Sequence, residues 1–289
     1  MLADVILDQP PTNEMIRRFS PSSEQNPDGW IGENWEGRGY DVYAYFPEFS
    51  PPDCFSCGQG MGDLEVDYQD TSEDFWAIAD ALEPAAIITF SRGSFSTTWE
   101  VEMNQYNRTQ WVNDYTAPFQ PTPVPPDADY PPNGLRLSAL PLQAIVDAVN
   151  AAGLGLDAFI CFSGDGGGFL SEFIAYHGVW YQALHDDPDA PDYCAAAGHV
   201  HVGALVDWPT ATTAAEITLR TVIDYVDPLL IRDGDVDADG DVDAEDLLGL
   251  LAQWGECALP CPPVCPADFN DDCTVDTVDL LTLLGAWGP

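Results

Sequence analysis

The sequence contains no lysine, and only eight arginines stand against 49 Asp and Glu residues, which sets the formal charge at −41. Nucleic-acid surfaces work through clustered basic side chains that release counterions, and eight scattered arginines cannot form such a patch. Anionic membrane surfaces are excluded for the same reason. No stretch approaches the roughly eighteen uninterrupted apolar residues of a membrane-spanning helix, which argues against membrane insertion as well. Residues Met1 to Asp8 lack both the basic and the long apolar part of a signal peptide, and taken alone they predict a cytoplasmic protein.

Other features point elsewhere. Five of the eight cysteines lie in Pro- and Gly-rich stretches, where disulfides fit better than a packed core, and this predicts an oxidising compartment. Excess acid without lysine suits a salty extracellular setting. The expected location is therefore extracellular or at the cell surface, with the export signal missing from this sequence. Hydrophobic residues at 46% suffice for a core, and the length allows one medium domain and one small one.

Residues 231–289 contain a repeat. Asp235 to Asp246 followed by Leu247 to Gly255 recurs 33 residues later as Asp268 to Asp279 followed by Leu280 to Gly288, a match detailed enough to be a duplication. A hard cation of calcium's size takes six to eight oxygens, and a twelve-residue loop offers them from positions 1, 3, 5, 7 and 12. In the first loop these are Asp235, Asp237, Asp239, the carbonyl of Asp241, and Asp246, with Gly240 at the turn. In the second they are Asp268, Asn270, Asp272, the carbonyl of Thr274, and Asp279, with Cys273 where the turn glycine stands in the first. A solvated acidic linker is the plainer alternative, but it would not place Val242 and Val275 at position 8 of each loop. Asp at position 12, with a helix after each loop and none clearly before it, resembles the duplicated repeat of dockerin domains. That resemblance implies a small α-helical EF-hand-like module, two calcium ions, folding coupled to calcium, and docking onto a cohesin-type receptor or another surface anchor. Cys257, Cys261 and Cys265, with Cys273, suit two disulfides; zinc is the less favoured reading because the spacing is unusual and no His lies nearby.

Upstream, β-rich and helical runs alternate over residues 1–230. Tyr40 to Phe46 reads as a strand. Thr71 to Asp74 can cap a helix that Pro84 stops, and an apolar strand follows from Ala85 to Ser91. Leu142, Ile145, Val146 and Val149 share one helical face between Pro141 and Gly153. Phe159 to Ser163 and His199 to Leu205 read as strands, Phe169 to Tyr181 and Thr213 to Val226 as helices. This alternation predicts an α/β domain, a three-layer structure in which a mostly parallel sheet is flanked by helices. Pro118 to Pro132 must be a long loop or arm.

Five segments in order carry a second resemblance: Phe19-Ser20-Pro21 with Asn26-Pro27; Ala85 to Gly93 with Trp99-Glu100; Leu140-Pro141-Leu142; Gly167-Gly168-Phe169-Leu170-Ser171; and Gly198-His199-Val200-His201-Val202. Together they resemble pyrrolidone carboxyl peptidase (pyroglutamyl peptidase I), a cysteine-peptidase family with an α/β fold. The resemblance implies hydrolysis of an N-terminal pyroglutamyl amide in a peptide substrate, with Phe19 in the substrate loop. It places the family's nucleophile, base and acid at Ser171, His201 and Glu100, and Glu102 is the alternative acid. Serine thus replaces the nucleophilic cysteine. A helix N-terminus supplies backbone N–H groups to an oxyanion, and Ser-His-Glu is workable chemistry if His201 reaches the hydroxyl.

Plainer readings stand beside these. Ser171 can be a helix cap, one of the two strand histidines a satisfied core residue, Cys161 a buried thiol, and Cys54-x2-Cys57 a local staple. Two functions fit these features: a secreted or surface-attached peptidase-like hydrolase, or an inactive binding or structural module presented by its dockerin. A glycosidase ranks last, because no carboxylate pair stands out among so many acids.

Overall fold

A computed structural model of the chain describes residues 10–50, 58–164, 167–188, 190–230, 234–237, 242–258, 265–270 and 272–288. It divides into two units, Met1–Val226 and Asp227–Pro289. The elements of the first follow in the order α1 (Pro10–Ile16), β1 (Pro47–Glu48), β2 (Met61–Gly62), α2 (Tyr68–Leu82), β3 (Ala86–Arg92), β4 (Thr98–Glu102), β5 (Asn104–Tyr106), β6 (Leu135–Leu137), α3 (Leu142–Ala151), β7 (Asp157–Cys161), α4 (Leu170–Leu184), β8 (Ala196–Val202) and α5 (Trp208–Leu230). Among the described residues no helix is long and apolar enough to cross a membrane.

The main sheet has the order β3-β8-β4-β7. The β3/β8 and β4/β7 pairs are parallel and the β8/β4 pair is antiparallel, so the sheet is mixed but mostly parallel. Side chains alternate across a strand, so its two faces can be read from the contacts of β3. Gly178 of α4 lies where a Cβ would stand 3.6 Å from Ile87 and from Thr89, which puts α4 over their face. Ile88 and Phe90, on the other face, line one apolar gap with Ala215 and Leu219 of α5. Trp99 of β4 points the same way, its indole N–H donating to Thr218 Oγ1 at 3.2 Å. Helices therefore cover both faces, giving the three expected layers.

Local chemistry sets the element ends. Helix α2 starts about a turn before Thr71–Asp74 because Asp67 caps it, accepting from the N–H groups of Gln69 and Asp70. It ends at Glu83, left-handed at φ 46, just before Pro84. Pro141 and Gly153 (φ +66) bracket α3 as expected. Tyr40–Phe46 is not a strand. It alternates in burial, but Val42 and Ala44 donate to the loop carbonyls of Gly32 and Phe19 rather than to a ladder. Pro118–Pro132 holds no helix or strand, and buried Asn107 pins it by donating to the carbonyls of Asp127 (2.7 Å) and Tyr130 (3.0 Å).

The second unit contains α6 (Ala244–Ala252), β9 (Gly255–Glu256), β10 (Thr274–Val275) and α7 (Thr277–Gly285). Its halves are interlocked reciprocally. Gly255, ending the first repeat, pairs with Val275 of the second loop, and Gly288, ending the second repeat, bridges to Val242 of the first. Both valines are fully buried, with Leu250 and Leu283, in a core that neither repeat could close alone. Cys257 and Cys265 form a disulfide, and Cys273 is also disulfide-bonded. Cys261 lies outside the described residues, as do Cys54 and Cys57.

Candidate functional site

Strand register gathers the titratable side chains. In β3/β8, Thr89 is opposite His199 and Ser91 opposite His201. In β8/β4, Glu100 is opposite His201 and Glu102 opposite His199. In β4/β7, Glu102 is opposite Cys161. By alternation all seven residues share the face that α4 covers.

The two histidines differ. His199 is saturated, one ring nitrogen bonded to Thr89 Oγ1 at 2.7 Å and the other to Ser91 Oγ at 2.8 Å. Burial, with His201 beside it, holds its pKa well below the ordinary value, so it is a neutral core residue. His201 presents Nδ1 to Glu102 Oε1 at 2.9 Å, and both side chains are buried. Burial pushes the His201 pKa down, but the bond to Glu102 and the charges of Glu102, Glu100 and Glu172 outweigh it and raise the value. Glu102 is held at its other oxygen by the Gln105 amide, 3.2 Å away. The carboxylate on His201 is thus Glu102; Glu100, the first choice from sequence, hydrogen-bonds Cys161 instead.

Ser171 sits in the first turn of α4 and is buried. It is not the cap. Phe169 occupies that position and no side chain caps the helix, so the plainer reading of Ser171 does not hold. The preceding turn is strongly bent, with Gly164, Gly167 and Gly168 at φ +56, +98 and +68, values open to glycine without strain. Asp165 and Gly166 lie outside the described residues. A segment absent from the sequence reading buttresses this turn. Arg108 donates to Gly164 O at 2.8 Å, Val112 N–H donates to Gly168 O at 2.7 Å, and Gly168 N–H donates to Glu172. Glu172, buried beside Ser171, also pairs with Arg108. Its charge acts on His201, so the start of α4 and the histidine share one electrostatic environment.

Phe19 belongs elsewhere. It is buried at 1% exposure, edge-on to Trp35, and lines the apolar gap with Ile88 and Phe90 on the opposite face of the sheet. Burial of the ring in the α5 layer makes it a core residue rather than a substrate contact.

In the second unit, Asp235, Asp237 and Asp246 each bring a carboxylate oxygen within 4.8 Å of the others. Asp239 and Asp241 lie outside the described residues. The two loops are congruent. Asp246 accepts from Val236 N–H (2.7 Å) and Asp243 N–H (2.7 Å), and Asp279 accepts from Phe269 N–H (2.8 Å) and Asp276 N–H (2.8 Å). Asp268 accepts from Cys273 N–H (2.8 Å), Asn270 from Asp272 N–H (3.1 Å), and Asp272 from Thr274 N–H (2.9 Å). Cys273 takes the left-handed turn, at φ +69, that a glycine would otherwise supply.

No known protein-family profile matches the chain, and no curated protein matches it. Solved structures do. A mutant pyrrolidone carboxyl peptidase from Pyrococcus furiosus aligns over 78% of this chain and 100% of its own, with TM-score 0.53 and 13% identity. The pyrrolidone carboxyl peptidase from Thermococcus litoralis aligns over 78% and 95%, with TM-score 0.55 and 14% identity. Pyroglutamyl peptidase I from Bacillus amyloliquefaciens aligns over 77% and 94%, with TM-score 0.53 and 13% identity. At such identities the likeness establishes the fold, a central sheet flanked by helices.

Proposed function

We propose that the first unit is an amide hydrolase of the pyroglutamyl-peptidase type, removing an N-terminal pyroglutamyl or related group from a peptide. Ser171 is the nucleophile, His201 base and then acid, and Glu102 its orienter. The observation that carries the reading is the buried Glu102–His201 pair, on the sheet face covered by the helix whose first turn holds an uncapped serine. With Nδ1 engaged by Glu102, Nε2 is the atom left for a hydroxyl. His201 takes the Ser171 proton as Oγ attacks the amide carbonyl, and backbone N–H groups at the start of α4 receive the oxyanion. The proton then passes to the leaving amine, and water hydrolyses the ester by the same route.

A binding module that does not hydrolyse is favoured by one observation: three carboxylates act on His201 and stabilise imidazolium, which is no base. Hydrolysis of a fluorogenic pyroglutamyl amide by wild type, Ser171→Ala and Ser171→Cys separates the two. Activity lost in the Ala variant establishes a serine enzyme, silence relieved only by Cys means a site disarmed by one substitution, and silence in all three refutes hydrolysis of this substrate class.

For the second unit we propose two calcium ions, one per loop. The residues fit: the donors are oxygens, and Asp235, Asp246, Asp268 and Asp279 are buried in a unit whose fifteen acids face a single arginine, Arg232. Leu248, Leu251 and Trp254 recur 33 residues on as Leu281, Leu284 and Trp287, all six exposed. Such duplicated apolar rows support docking onto a cohesin-type receptor or surface anchor, and the Cys257–Cys265 disulfide supports an extracellular or cell-surface setting.

A further inference from the structure

Glu100, Glu102 and Cys161 each bring a ligand atom, two carboxylate oxygens and a sulfur, within 4.8 Å of one another. Register explains the cluster: Cys161 is opposite Glu102, and Glu100 lies two residues earlier on the same face. The His201 imidazole adjoins it through Glu102. Cys161 is a free thiol, 3.0 Å from Ser163 Oγ, so no disulfide withholds the sulfur. Glu100 is only partly buried, which leaves an ion a way in. Two oxygens, a sulfur and a neighbouring imidazole form a different set from the all-oxygen loops of the second unit. Calcium and magnesium do not choose thiolate, whereas zinc-type ions take Cys, His and Glu in tetrahedral sites.

We infer that a thiophilic divalent cation of the zinc type binds Glu100, Glu102 and Cys161, and that binding withdraws Glu102 from His201. The ion displaces the thiol proton to solvent and gains a sulfur ligand; nothing is oxidised or reduced. Binding and the Glu102–His201 pair compete for one carboxylate, so the ion is an inhibitor. The site stands on the strand register, while inhibition rests on the hydrolase reading.

Cobalt reports both parts. The full chain, kept in saturating calcium so that the oxygen loops are filled, is titrated with Co2+ and watched for the sulfur-to-cobalt charge-transfer band in the near ultraviolet. Wild type shows the band, Cys161→Ser does not, and Glu100→Gln binds at least about tenfold more weakly. No band in wild type, or a band that survives in Cys161→Ser, overturns the site. Should Cys161→Ser misfold, unchanged affinity in Glu100→Gln overturns it equally. In parallel, zinc suppresses wild-type hydrolysis of the pyroglutamyl amide and spares Cys161→Ser; equal inhibition of both overturns the coupling. A band without any hydrolysis keeps the site and refutes the hydrolase reading alone.

Discussion

Acid should loosen the first unit through His177, a residue outside the proposed chemistry. The imidazole is fully buried on α4, its Nδ1 bonded to Phe173 O at 2.8 Å and its Nε2 to Ser72 Oγ at 3.2 Å. Burial lowers its pKa from 6.5 to about 4, against the opposing effects of the bond to the Phe173 carbonyl and of the Asp127 charge. The unfolded chain therefore binds a proton at a pH where the folded one does not, so stability falls as pH drops below 6.5 and levels off below about 4. At 1.36 kcal/mol per pH unit, this group alone removes about 3 kcal/mol between pH 7 and pH 4. Other groups titrate over the same range, so the measurement is a difference: guanidinium unfolding of wild type and His177→Gln at both pH values. Fluorescence is suited to it, because Trp76 and Trp180 pack against the His177 ring with centroids 6.1 and 5.5 Å away. The variant should lose about 3 kcal/mol less than wild type on acidification. Equal losses in the two proteins would refute the assignment of a neutral, desolvated histidine.

Three further outcomes follow from named contacts. Glu102→Gln should lower kcat/KM by about 10³–10⁴ by mis-setting the His201 tautomer, while Glu100→Gln costs less than about tenfold; the reverse order in steady-state assays restores Glu100 as orienter. On the proposed two-calcium reading, chelation should unfold α6 and α7 and leave the first unit folded, seen as partial loss of far-ultraviolet circular dichroism, and Asp246→Ala or Asp279→Ala should each weaken calcium binding at its own loop. Arg136 pairs with buried Asp127 at 3.0 Å, so Arg136→Met should cost about 3 kcal/mol in denaturant unfolding, and adding Asp127→Asn should recover part of it.

Sequence made some of this legible because the signals were local. Pro84, Pro141 and Gly153 act on their own backbone, and they mark the ends of α2 and α3 correctly. The duplicated loops were legible because each repeat checks the other. The acid was ambiguous for a physical reason: Glu100 and Glu102 are two residues apart in a strand and face the same way, so period alone cannot choose between them. The antiparallel pairing of β4 with β8 sets Glu100 directly opposite His201, yet the bond is made by the diagonal neighbour Glu102, whose other oxygen the Gln105 amide holds. Phe19 reads as a substrate contact from sequence because an aromatic in a loop motif and an aromatic in a core look alike until the layers are known. Arg108 and Glu172 were missed because 64 positions separate them, although Arg108 is one of only eight arginines and Glu172 adjoins Ser171.

A chain without lysine has few ways to bury a carboxylate, and the structure uses several of them. Asp127 is met by Arg136, Glu172 by Arg108, and Glu102 by His201. Asp67 and Asp114 are met by backbone N–H groups at the start of α2. Arg17, Arg18, Arg38 and Arg220 pair with other carboxylates of the first unit, and the second unit buries Asp235, Asp246, Asp268 and Asp279 with one Arg in its sequence against fifteen acids. Backbone N–H groups satisfy part of the hydrogen bonding of Asp246, Asp268 and Asp279 but carry no full positive charge, and a carboxylate is costly to bury without one. The calcium ions proposed above would supply such a charge. The recurrence 33 residues on of buried aspartates at loop positions 1 and 12, the latter held by equivalent backbone N–H groups, supports the proposed cation in each loop over a solvated acidic tail.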